Sequence, residues 1–196
     1  ALHCYVRARL QTRYGKETVP DGQPIPAHLL GNMWAQTWDN VYPLVEPFPG
    51  VGRLDVDGAL RGQGWDPVRM VKAGEAFFGS LGFDPLPATF WQRSMLVKPR
   101  DRDVECHASA WDLDARGDLR VKMCIRPTEE DLRTIHHELG HNYYQRAAEH
   151  LTFLFQNGAN DGFHEAIGDA LLLSMTPAYL RKLGLAGDVP DDARAV

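Results

Sequence analysis

The feature that most limits what this chain can fold into is a pentapeptide, His137-Glu138-Leu139-Gly140-His141. On an α-helix, residues i and i+4 share a face with Cβ atoms about 5 to 6 Å apart, so two imidazoles can converge on one ion at the roughly 2.0 to 2.1 Å nitrogen distance zinc prefers. Glu138 then sits beside the metal without ligating it, where a general base can take the proton of an attacking water. The competing reading of these five residues alone is a surface helix carrying scattered histidines. A hydrolytic zinc site takes three protein ligands and keeps a position open, so a third ligand must come from elsewhere. Phe163-His164-Glu165-Ala166-Ile167-Gly168-Asp169, on the next predicted helix, offers Glu165. Asp169, one turn further along the same face, is placed to accept a hydrogen bond from the far nitrogen of a ligating histidine. Phe163, Ala166, Ile167, Ala170, Leu171 and Leu172 around them are apolar. The expectation is therefore a buried carboxylate pair partnered at a metal, against the alternative of a solvated helix face.

The rest of the chain reads as helices interrupted by one hairpin. Leu2, Val6 and Leu10 recur at helical spacing before Gly15, and a helix over 2–14 follows. From Ala27 to Val41, Leu30, Met33, Trp34, Trp38 and Val41 fall on one side, predicting a buried amphipathic helix that Pro43 ends. Asp66-Pro67 reads as an N-cap followed by proline at the first helical position, opening a helix that Gly82 closes. Phe90 and Trp91 mark a short aromatic segment. Val104 to Leu113 and Leu119 to Cys124 flank the turn-like Asp114-Ala115-Arg116-Gly117-Asp118, and together predict an antiparallel pair. Thr128 caps a helix running to about His150, with Glu129, Glu130 and Asp131 in its first turn. A turn-rich stretch over 157–162 leads into a helix from Phe163 to about Met175, and Thr176-Pro177 starts a last short one.

Composition narrows the function classes. The chain has 196 residues, 44% of them hydrophobic, enough for one sizeable core, and one domain is the default. Its longest apolar run, Ala170 to Leu173, is far short of the roughly 20 residues of a membrane span. A net charge of -5 spread along the chain argues against a general nucleic-acid binder. The chain begins at Ala1 without methionine or a signal peptide, which suits a mature protein or an excerpt.

His136-His137-Glu138-Leu139-Gly140-His141, Gly158-Ala159-Asn160 and Gly162 through Asp169 resemble the angiotensin-converting enzyme family of zinc peptidyl-dipeptidases. Upstream, the segment from Pro24 to Trp38 and Cys106-His107-Ala108-Ser109-Ala110-Trp111-Asp112 carry the resemblance over nearly the whole chain. It implies a mainly α fold, a helical zincin-like core with one small antiparallel hairpin, and one zinc ion held by His137, His141 and Glu165 with Glu138 as base. It also implies an oligopeptide substrate held on a strand through His107 and Ala108; small residues there suit an added peptide strand. Gln36 matches a residue that helps bind the substrate's C-terminal carboxylate, where the related single-residue carboxypeptidase carries arginine. The implied reaction is release of C-terminal dipeptides. The alternatives are a single-residue carboxypeptidase of the same family and a noncatalytic binding module with the family fold.

The family's further oxyanion donors, a histidine and a tyrosine, come from a region C-terminal to the zinc helices, as do a carboxylate-binding lysine and most chloride-binding groups. Nothing after Asp169 resembles that region. Chloride thus enters by resemblance only, and residues 1–196 read as the central portion of a larger catalytic domain, lacking N-terminal lid helices and the C-terminal part. Cys106 and Cys124 flank the hairpin turn symmetrically, and their spacing suits either a disulfide or two buried thiols. The resemblance implies the disulfide and an extracytoplasmic setting. Cys4 is left over as a free thiol.

Overall fold

Chain punctuation decides the first element. Helix α1 spans Leu2–Tyr14 with Val6 and Leu10 buried, and it stops at Gly15, whose φ of 85° belongs to the left-handed region that glycine tolerates. The structure, a computed structural model, describes residues 2–30, 41–46 and 54–187. It divides into two units, residues 1–52 and 53–196. In the first, Val6, Leu10, Val19, Ile25, Leu30 and Val45 form a core, and the Tyr5 hydroxyl donates to the Val45 carbonyl over 2.6 Å.

The predicted helix over 27–41 needs correction at both ends. Ala27–Leu29 is a single 3-10 turn, and Pro43 lies in the first turn of helix α2, Tyr42–Val45, instead of ending a helix. The reason is positional: the first turn has no intrahelical acceptor for its N–H groups, so a residue without one is tolerated there. Met33, Trp34, Gln36 and Trp38 lie outside the described residues.

The second unit is organised around helix α6, Glu129–Ala148, with eleven of its twenty residues buried. Thr128 caps it, its hydroxyl accepting from the Asp131 N–H, and three acidic residues complement the dipole in the first turn. Leu132, Ile135, Leu139 and Tyr143 make the apolar stripe. Helix α4, Pro67–Ser80, packs on that stripe: a Cβ on Gly74 would meet Leu139 Cδ1 at 2.7 Å, and Phe78 stacks on Tyr143 with centroids 4.2 Å apart. Helix α4 starts as its sequence predicts, with the Asp66 carboxylate accepting from the Arg69 N–H. Helices α3, Val56–Gly62, and α5, Ala88–Arg93, complete the upstream half; α3 has no counterpart among the expected elements.

Strands β1, Ser109–Asp112, and β2, Leu119–Lys122, pair antiparallel with Ser109 opposite Lys122 and Asp112 opposite Leu119. They are shorter than the predicted runs. The turn forms because the Asp112 carboxylate accepts from the Gly117 N–H and that of Asp114 from the N–H groups of Arg116 and Asp118. Cys106 and Cys124 form a disulfide just outside the ladder, with Cα atoms 5.2 Å apart. Beyond α6 come a 3-10 turn at Phe153–Phe155, helix α7 at Asp161–Leu172 and helix α8 at Pro177–Lys182. Helix α7 starts two residues before the expected Phe163, because the Asn160 side chain caps it by accepting from the Phe163 N–H. The architecture is mainly α with one small antiparallel hairpin, as expected. Among the described residues, no helix is long and apolar enough to cross a membrane.

Candidate metal centre

Helix α6 is unusual in what it buries. Its interior faces include Asp131, His136, Glu138, His141 and Asn142, residue types that are buried only with partners or for a purpose. Asp131 accepts from the Arg126 N–H at 2.6 Å. His136 donates from Nδ1 to the Leu132 carbonyl at 2.8 Å and accepts at Nε2 from the Tyr179 hydroxyl at 2.9 Å. The Asn142 amide donates to the carbonyls of Trp111 and Arg120, tying α6 to the hairpin. Glu138 is 7% exposed, and its Oε2, like Asn142 Oδ1, has no hydrogen-bond partner among the described residues. Burial, the largest influence, raises its pKa to about 7; His137 pulls it down and Glu165 pushes it up. A cation held nearby would act in the same direction as His137.

The expected ligand atoms converge. His137 Nε2 lies 3.0 Å from His141 Nε2 and 3.2 Å from Glu165 Oε2, and His141 Nε2 lies 3.6 Å from Glu165 Oε1. These three residues are the metal-capable group of the described chain. Ligands about 2.0 to 2.1 Å from a tetrahedral zinc stand about 3.3 Å apart, and the two imidazole nitrogens and the Glu165 carboxylate, which meets them through different oxygens, are spaced near that value. The donor set, two imidazoles and a carboxylate, suits it chemically. Burial, and then His137, hold the His141 imidazole below its ordinary pKa and hence neutral, the state that ligation requires.

Close helix packing makes the convergence possible. A Cβ on Gly168 would fall 2.6 to 2.9 Å from ring atoms of His137. The imidazole therefore lies on bare α7 backbone. Across the same crossing, a Cβ on Gly140 would stand 3.3 Å from Gly168 Cα. Asp169 Oδ1 reaches His137 Nδ1 at 3.2 Å, the contact anticipated for it. The burial expected of Glu165 and Asp169 does not hold: their side chains are 64% and 71% exposed. The cause is that α7 packs through one face, and Gly168 is its one buried residue. Phe163 and Leu173 face outward despite being apolar.

The remaining sequence-predicted residues are not brought together with this cluster by any described contact. His107 is exposed just before β1, its backbone N–H donating to Glu105 Oε1 at 3.0 Å, and Ala108 is half-buried against the core. Gln36 lies outside the described residues. Two residues had no assigned role in the sequence: His136, and His164, whose Nδ1 is 2.6 Å from His141 Nδ1. Both sit beside the ligands in sequence, and adjacency was the available signal.

The whole chain, residues 1–196, matches the family described as angiotensin-converting enzyme. It is 52% identical over 193 residues to angiotensin-converting enzyme of Mesocricetus auratus, covering 97% of this chain and 15% of that protein. With the Bos taurus protein of the same name it shares 50% over 198 residues, covering 99% of this chain and 15% of the relative. With that of Haematobia irritans exigua it shares 46% over 196 residues, 99% of this chain and 32% of the relative. The chain thus spans at most about a third of the length of these relatives. On this match, and with a metal-capable group on two packed helices, the chain belongs to the angiotensin-converting enzyme family of peptidases.

Proposed function

We propose that this chain is the metal-binding part of a zinc metallopeptidase catalytic domain that releases dipeptides from the C-termini of oligopeptides. The observation that carries the reading is the convergence of His137 Nε2, His141 Nε2 and the Glu165 carboxylate, with separations of 3.0 to 3.6 Å, beside a buried Glu138 whose Oε2 has no partner among the described residues. When bound, zinc supplies Lewis acidity, polarising the scissile carbonyl and making a water easier to deprotonate. Glu138 takes the water's proton as it attacks the carbonyl carbon and hands it to the leaving amine. Its pKa near 7 suits both halves of that transfer. Asp169 holds the His137 ring from behind. His107 and Ala108 immediately precede β1, where an extended peptide can add as a strand, and family membership supports Gln36 as a residue that binds the substrate's C-terminal carboxylate. The disulfide and the family support an extracytoplasmic setting, and family membership supports chloride as a further ligand.

In the full-length protein, His137→Ala and Glu165→Ala are expected to abolish stoichiometric zinc, read by metal analysis. Unaltered zinc in both variants would refute the ligand assignment. Glu138→Gln should keep zinc and lower kcat by roughly 10²- to 10⁴-fold; wild-type turnover would remove Glu138 as base. Mass spectrometry of digests separates the possible activities: dipeptides support this reading, single amino acids a carboxypeptidase, and binding without cleavage a noncatalytic module.

A further inference from the structure

The back of one ligand is held by a group with no role so far. His141 directs Nε2 into the cluster, and its other nitrogen, Nδ1, stands 2.6 Å from His164 Nδ1. At that distance one nitrogen donates and the other accepts. Ligation through Nε2 leaves the proton of His141 on Nδ1, so His141 donates, His164 accepts, and the proton of His164 sits on its own Nε2. We infer, on the metal reading above, that His164 is a positioning residue that fixes the tautomer and ring angle of His141.

The acceptor is itself held from several sides. The Tyr144 ring lies against it with centroids 4.9 Å apart. Gly158 packs against both rings: an added Cβ there would come within 2.7 Å of His164 Cδ2 and 3.2 Å of Tyr144 Cε1. The Tyr144 hydroxyl accepts from the Ala159 N–H at 3.0 Å, fixing this loop, and the His164 N–H donates to the Asn160 carbonyl at 3.0 Å. The chemistry of the acceptor also matters. His137 is backed by a carboxylate, Asp169, and Glu138 and Glu165 add two more near the cluster. An imidazole acceptor behind His141 orients the ring without a further negative charge. Helix α7 thereby supplies one ligand and the support of both others from residues 164 to 169.

The test measures zinc affinity of the metal-free full-length protein by chelator competition, with circular dichroism confirming that each variant folds. His164→Phe keeps a ring against Tyr144 and Gly158 but has no acceptor, and His164→Ala removes ring and acceptor together. Both are expected to weaken zinc binding about 10- to 100-fold. His164→Asn restores an acceptor near the Nδ1 position and is expected to recover affinity to within a few-fold of wild type. The visible spectrum of the cobalt-substituted protein should change in the Phe variant and revert in the Asn variant. Wild-type affinity in the Phe or Ala variant overturns the inference, as does an Asn variant as weak as Phe. Absence of zinc binding by the wild type would instead bring down the metal reading itself, and this inference with it.

Discussion

At the scale of single residues, the site depends on where side chains are absent as much as on where they are present. The His137 ring lies on Gly168, and a methyl group there has no space. Gly168→Ala is expected to lower zinc affinity roughly tenfold or more while helix content is retained, because it displaces a ligand without removing one. Unchanged affinity by chelator competition would show that α7 can shift to absorb the methyl. Tyr143 offers a test on the opposite side of α6. Its hydroxyl is buried with no partner among the described residues, and burial raises its pKa to about 12. An unfolded tyrosine loses its proton near pH 10, so the stabilisation is complete below pH 10 and is lost as pH rises toward 12. Tyr143→Phe should be neutral or stabilising by roughly 1 kcal/mol at pH 7, since it removes an unsatisfied group. It should also flatten the alkaline decline of Tm between pH 10 and 12. A decline parallel to wild type would assign that loss to other groups. The juxtaposition of His137 and His141 was legible from sequence because the i, i+4 spacing is itself a geometric statement. Nothing comparable marked His164 or Tyr143, whose neighbours are set by chain crossings.

At the scale of elements, capping decides more than propensity. Helix α6 carries a low apolar content for a helix so enclosed, and its start rests on Thr128 and three acidic residues. Thr128→Ala should destabilise the protein by about 1 kcal/mol, measured by urea unfolding, with the ligand triangle intact. A change below a few tenths would mean that Asp57, which accepts from the Glu129 N–H at 2.7 Å, already secures this end. Elements announced by a cap and a stop matched their expected positions well: α1 before Gly15, α4 after Asp66, and α6 after Thr128. Around Pro43 periodicity misled, because proline can open a helical turn as readily as it ends one. Strand lengths were overestimated because alternation continues where ladder bonds do not.

At the scale of the molecule, the disulfide and the α6–α7 crossing are the long-range constraints. Cys106 and Cys124 close a loop with a sequence separation of 18. Replacing both with serine should cost about 3 kcal/mol by the loop-entropy relation, read as a lower denaturation midpoint. Equal midpoints would show that the ladder and the Asp112 and Asp114 turn already confine this loop. The helical class was determined by the sequence alone, and so was the placing of His137 and His141 on one face of one helix, because helical periodicity converts residue spacing directly into direction. The tertiary structure decided what spacing cannot encode. It brought α7 to within contact of α6 at Gly140 and Gly168, left Glu165 and Asp169 exposed against expectation, and set His164 behind His141. Those outcomes depend on how closely two backbones approach, and that distance is a property of both helices together.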